Sequence, residues 1–276
     1  MSRSLSVISV PPPTGKHKRR NLSQSWLRGL LLPVILLIGW EVLCRIEFFP
    51  ANLLPAPSAV IGTLWDLALS GELFKHITIT LYRVTWGFLI GSAIATVLGA
   101  LTGYSRLMHE LLDPLLQSLR NIPSLAWVPL FILWMGIYET SKVVLIAVGV
   151  FFPVYLNLMS GVQGVDRKLV EVGKVYRLNA VQLIRRVFLP ATLPAYIVGL
   201  RSGLGLGWMF VVAAEIMGSS QGLGFLLVDG QTTGRPTIVL ASILLFAILG
   251  KLTDASLAAI GKHLLRWQDS YSLSSR

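Results

Sequence analysis

The chain has 276 residues, of which 54% are hydrophobic and 13% charged, with a mean hydropathy of +0.68 and a net charge of +11. This balance excludes an ordinary soluble domain and points to an integral membrane protein. The positive residues are spread along the chain in a pattern that membrane topology accounts for, so the charge is read as orientation and not as a nucleic-acid footprint.

Residues 1–26 are polar, carry three prolines at Pro11 to Pro13 and the basic run Lys16 to Arg20, and show no apolar periodicity. They read as a disordered tail. The apolar run from Leu30 to Cys44 follows a long tail and is not followed by a small-residue cleavage site, so it reads as an uncleaved first span within residues 27–76. Cys44 is the single cysteine. It excludes an intramolecular disulfide and reads as a small packing residue. The stretch from Phe48 to His76 begins with prolines and holds a short amphipathic helix near Ala59 to Leu69, which suits an external interfacial segment.

Further apolar segments lie near residues 77–103, 113–135, 141–161, 191–214 and 237–258. Together with the first they make about six transmembrane helices, each near the 20 residues that a crossing requires. Residues 77–260 are the expected core transmembrane domain, with a polar loop at 163–190 and a tail at 261–276. Alternation at strand period is absent, so the fold class is an all-α membrane protein and not a barrel. With the N-terminal tail in the cytoplasm, most lysines and arginines fall inside and only Arg45, Lys75, Lys142 and Arg235 fall outside. The positive-inside rule then places both termini in the cytoplasm. Two spans carry small residues at every fourth position: Gly87, Gly91, Ala95, Gly99 and Gly103 in one, Gly199, Gly203 and Gly207 in the other. Such stripes bring helix backbones close in lipid, where apolar burial between helices gains little.

The polar loop contains "EVGKVYRLNAVQLIRRVFLP", residues 171–190. Arg167, Glu171 and Lys174 fall on one helical face and Leu169, Val172, Gly173 and Tyr176 on the opposite one. Asn179 followed by Gln182 is the signature of a helix start, so a second short helix is expected after a turn at Asn179. A basic helix resting on anionic lipid accounts for the charge alone. A bent two-helix elbow is also what a membrane subunit needs if a soluble partner is to push on it.

This stretch resembles the cytoplasmic "EAA" loop of ATP-binding cassette importer permeases. The matching positions are Glu171, Leu189 and Pro190; Val172 and Gly173 stand at the two alanines and Arg177 at the glycine of that pattern. The resemblance covers roughly residues 30–272, including "LLDPLLQSLRNIPSLAWVPLFILWMGI" and "AAEIMGSSQGLGFLL", and is similar to the nitrate, sulfonate and taurine importers, most of all the aliphatic sulfonate branch. It implies the type I importer permease fold, a homodimer of permeases, two cytoplasmic ATPase subunits and an external solute-binding protein in the bacterial inner membrane. It also implies that Glu171, Gly173, Lys174, Arg177, Leu189 and Pro190 belong to the coupling segment that docks on the ATPase. Hydrolysis belongs to the partner. Arg177 departs from the pattern, which puts the geometry of the turn in question and leaves direct contact with the partner as an alternative.

Other chemistry is missing from the sequence. Gly15-Lys16, Gly173-Lys174, Gly250-Lys251 and Gly261-Lys262 all lack the remainder of a phosphate-binding loop. His17, His76, His109 and His263 are scattered without metal-ligand spacing and read as surface or interfacial residues, so no cofactor or metal is implied. Charges within spans are costly unless paired or wet, which singles out Glu41, Arg83, Arg201, Glu215, Lys251 and Asp254. Lys251 and Asp254, three apart on one face, are expected to pair; Arg201 is expected to find Glu215 or a carbonyl. Arg83, Asn157 and Arg201 are the candidates for lining a substrate path, since a guanidinium matches an oxyanion with two parallel hydrogen bonds. A secondary transporter would show an inverted repeat with broken helices, and a membrane enzyme a cluster of acid, base and nucleophile; neither pattern is apparent.

Overall fold

A computed structural model describes residues 22–48, 50 and 53–267. The expected tail at 1–26 and the end of the 261–276 tail therefore lie largely outside the described residues. In chain order the helices are α1 (Leu22–Arg45), α2 (Pro57–Leu69), α3 (Glu72–Tyr104), α4 (Arg106–Arg120), α5 (Ser124–Met135), α6 (Glu139–Gln163), α7 (Arg167–Val175), α8 (Ala180–Leu183), α9 (Leu189–Ile216), α10 (Leu223–Thr232) and α11 (Pro236–Leu264). No strand occurs among the described residues. Among the described residues four helices are long and apolar enough to cross a membrane: α3, α6, the continuous run through α8 and α9, and α11.

Two boundaries differ from the sequence reading. The apolar segment at 113–135 is not one helix but two, α4 and α5, with a break at Asn121 to Pro123. Pro123 disfavours helical backbone at the residue before it, and Asn121 is a weak helix former, so local chemistry interrupts a stretch whose apolar content reads as continuous. The second helix of the loop is also not separate. It runs through a π-helical turn at Ile184–Phe188 straight into α9, with the Leu189 N–H donating to the Ile184 carbonyl. Pro190 has no N–H to offer the Arg186 carbonyl, and a wider turn at this point accommodates that missing bond.

The core forms around α6, which runs parallel to α3 and antiparallel to α9. Both glycine stripes converge on it. A Cβ at Gly99 would lie 3.0 Å from the Tyr155 carbonyl, and one at Gly103 2.7 Å from the Val162 Cβ. From the other side, a Cβ at Gly203 would lie 2.8 Å from the Val154 Cγ2 and 3.0 Å from the Val150 carbonyl. Ile146, Val150, Val154 and Tyr155 are consequently wholly buried between the two neighbours. The closest approach is at Gly91, where an added Cβ would collide with the Ala147 carbonyl oxygen. That neighbour is backbone and cannot rotate away. Gly91→Ala is therefore expected to lower stability by about 1–3 kcal/mol through overpacking. Gly205→Ala, which places its Cβ in open space, should change little. Melting midpoints of the two variants in detergent check the contrast; equal midpoints would remove the close-approach argument.

Around this core, α11 packs against α9, α10 and α2. The start of α4 lies beside the end of α6, with Gln163 Nε2 3.3 Å from His109 Nδ1 and the Tyr155 hydroxyl donating to Asp113 at 3.4 Å. Segment α4 thus climbs antiparallel along α6, and its break comes level with the middle of that helix.

Candidate functional site

The loop between α6 and α9 folds as a compact elbow. Asp166 caps α7 by accepting from the Lys168 N–H at 2.9 Å. Asn179 and Gln182 form a reciprocal capping box at the start of α8: the Gln182 N–H donates to Asn179 Oδ1 at 2.9 Å and the Asn179 N–H to Gln182 Oε1 at 3.0 Å. Between them Arg177 takes a left-handed backbone with φ of 54°. A non-glycine residue carries a penalty there, and the turn forms with arginine all the same.

Gly173 is the pivot of the elbow and is buried. A Cβ there would lie 2.6 Å from Leu183 Cδ1, 3.5 Å from Leu178 Cδ1 and 3.6 Å from Val187 Cγ2, so the absence of a side chain lets α7 seat against α8 and the π-helical turn. Glu171, Lys174 and Arg177 are exposed, and Leu189 and Pro190 open α9. The elbow also exposes Leu169, Val172, Val175, Tyr176 and Val181, an unusual amount of apolar surface for a basic segment. Leu169, Val172, Tyr176, Val187 and Pro190, with Trp267 beyond α11, line a cavity of about 570 Å³ beside it. The expected opposition of polar and apolar faces on α7 is present, with Gly173 turned inward and the large apolar residues open to contact.

At the opposite end of the bundle the charges within the spans form a network that the sequence does not announce. Arg83 on α3, 1% exposed, donates through Nε and Nη2 to both oxygens of Glu139 at 2.6 and 2.7 Å. Its Nη1 donates to Glu215 at 2.7 Å and to the Gln221 carbonyl at 2.8 Å. Glu215 also accepts from the Thr80 hydroxyl at 2.8 Å and the Gly224 N–H at 2.7 Å. Lys142 joins by donating to Glu139 at 3.0 Å. His76 is not at the surface as expected; it is buried, stacks on Phe225 and accepts the Gly222 N–H at 3.0 Å. Burial demands that each polar group find a partner, and here they pin the loop between α9 and α10 onto α3 and α6. Thr80, His76, Glu139 and Lys142 were not legible in this role, because only folding brings them beside Glu215.

The remaining in-span charges settle differently from the sequence reading. Asp254 does not pair with Lys251. Both its oxygens accept from Arg201, through Nε and Nη2 at 2.8 Å each, so Arg201 finds neither Glu215 nor a carbonyl. A planar guanidinium engages a carboxylate through two parallel bonds, which a lysine three residues away on the same helix cannot match. Asn157 donates to the Pro153 carbonyl at 2.8 Å and is half-buried where Gly199 crosses it. Glu41 is held by Arg45 and by the Ser58 hydroxyl and N–H, tying α1 to the start of α2. The three residues Arg83, Asn157 and Arg201 are thus not brought together on one surface. Among the described residues there is no group of histidine, cysteine and carboxylate side chains that could hold a metal ion.

Comparison with known proteins places this architecture. Over 274 residues the chain is 44% identical to an aliphatic sulfonates transport permease protein, SsuC, of Bacillus subtilis (strain 168), covering 98% of this chain and 99% of that protein. It is 31% identical to the taurine transport system permease protein TauC of Escherichia coli (strain K12), covering 86% and 87%. Among solved structures, the MetNI methionine ABC transporter aligns with a TM-score of 0.58 at 18% identity, over 74% of this chain and 98% of that one, which shows a shared fold. Residues 59–266 match the family described as the binding-protein-dependent transport system inner membrane component, and the chain belongs to that family.

Proposed function

We propose that this protein is the permease subunit of an importer that carries an aliphatic sulfonate across the bacterial cytoplasmic membrane, driven by a separate ATPase. The observation that carries the reading is the near-complete alignment with the Bacillus sulfonate permease. The elbow supplies the mechanical part. Glu171 and the exposed apolar residues of α7 are the surface for the ATPase, and α8 passes without interruption through the π-helical turn into α9. A push on the elbow is therefore transmitted along a helical rod into the bundle. The working unit in this reading is two permease copies, two ATPase subunits and an external solute-binding protein, with both termini of each permease in the cytoplasm. The basic surface of the loop supports that orientation.

Vesicles containing the permease with its ATPase and binding protein test the proposal. Labelled alkanesulfonate should accumulate when ATP is inside the vesicle on the elbow side, and accumulation should stop on ATP depletion. Accumulation that persists without ATP would overturn the importer reading. Accumulation of taurine or nitrate in place of alkanesulfonate would keep the mechanism and replace the substrate.

A further inference from the structure

We infer that the break between α4 and α5 is an anion station on the transport path, with Arg120 as the group that holds the sulfonate head. The inference rests on the permease reading above and extends it to a residue outside the earlier candidates. Arg120, Asn121, Ile122 and Pro123 line a cavity of about 510 Å³ whose far wall is Gly149, Phe152 and Pro153 of α6 and Leu206, Met209 and Phe210 of α9. Those α6 residues are central in a helix of 25 residues, which puts the break near mid-membrane depth. Non-helical backbone at that depth is tolerated only where it lines a cavity or is buried in protein.

Arg120 differs from the other in-span arginines. Arg83 and Arg201 each engage a carboxylate through two nitrogens. Arg120 is exposed, and its side chain makes no hydrogen bond or ion pair among the described residues. A lone cation at this depth is costly unless it faces water or an anion. The cavity offers both chemistries that an alkanesulfonate presents: a guanidinium with bidentate geometry for the oxygens, and an apolar wall of Trp127, Phe152, Leu206, Met209 and Phe210 for the chain. Nitrate would use only the first.

Charge-selective labelling tests the station directly. In the assembled transporter carrying Cys44→Ser and Ile122→Cys, the new thiol is the target of two methanethiosulfonate reagents, one bearing an ethylsulfonate and one an ethyltrimethylammonium group. Relative to their rates on a small free thiol, the anionic reagent should react faster by about tenfold, as a unit charge a few ångströms away allows in a half-wet site. Arg120→Gln should abolish that preference, Arg120→Lys should retain most of it, and pentanesulfonate should slow the anionic reaction in the parent. An anionic preference that survives Arg120→Gln, or none in the parent, would overturn the station. Uptake in the same vesicles separates the two ideas: ATP-driven uptake with charge-blind labelling refutes the station alone, whereas charge-selective labelling without any ATP-driven uptake refutes the importer reading and leaves an anion site.

Discussion

Arg83→Met is expected to cost the folded chain about 3–5 kcal/mol, the usual penalty for removing one partner of a buried ion pair. The residue is 1% exposed and serves Glu139, Glu215 and the Gln221 carbonyl at once. Methionine fills much of the volume but leaves the fully buried Glu215 carboxyl without its guanidinium, with only Thr80 and the Gly224 N–H to answer it. The loop leading into α10 then loses its anchor at the Gln221 carbonyl. The melting midpoint of the purified protein in detergent reads the loss, and the yield of membrane-inserted chain should fall with it. Adding Glu215→Gln should recover part of the stability, because it removes the carboxyl that was left without its guanidinium partner. Groups within one network are coupled by about 0.5–3 kcal/mol, so the double variant should be less unstable than the sum of the singles. Strict additivity would mean that Arg83 and Glu215 do not act together.

Gly173→Val is expected to abolish ATP-driven uptake while leaving the membrane spans folded. Alanine would bring a Cβ to 2.6 Å from Leu183 Cδ1, the free end of a flexible side chain that can turn aside. Valine adds two methyl groups towards Leu178 and Val187 as well, and α7 must lift away from α8. Overpacking of this kind costs about 1–3 kcal/mol locally. The cost falls on a short exposed helix and not on the α3–α6–α9 core. The expected pattern is therefore a melting midpoint close to the parent, weaker retention of the ATPase on purification, and uptake reduced by at least about tenfold, since a displaced lever transmits no push. Gly173→Ala should retain most uptake. Normal uptake in Gly173→Val would show that the angle between α7 and α8 does not matter for coupling.

Features decided by neighbours along the chain were legible before folding. The capping box at Asn179 and Gln182 depends on atoms three residues apart, and both hydrogen bonds of the motif are formed. The amphipathic face of α7 and the short helix near Ala59 to Leu69 follow from helical period in the same way. The glycine stripes announced close packing, although not that both would meet α6. The break after Arg120 had a local signal in Asn121 and Pro123, but the apolar residues on either side outweighed it.

Composition and period thus sufficed for an all-helical membrane protein with a basic elbow, because hydrophobic length and hydrogen bonding within a helix are short-range properties. Partner choice among the charges was settled only in three dimensions. Lys251 is three residues from Asp254, yet that carboxylate takes Arg201 from a position 53 residues away. Arg83 meets Glu215 across 132 residues. In a medium where an unpaired charge is costly, electrostatic energy goes to whichever donor the packed helices bring within reach with the better geometry, and sequence spacing does not encode that proximity.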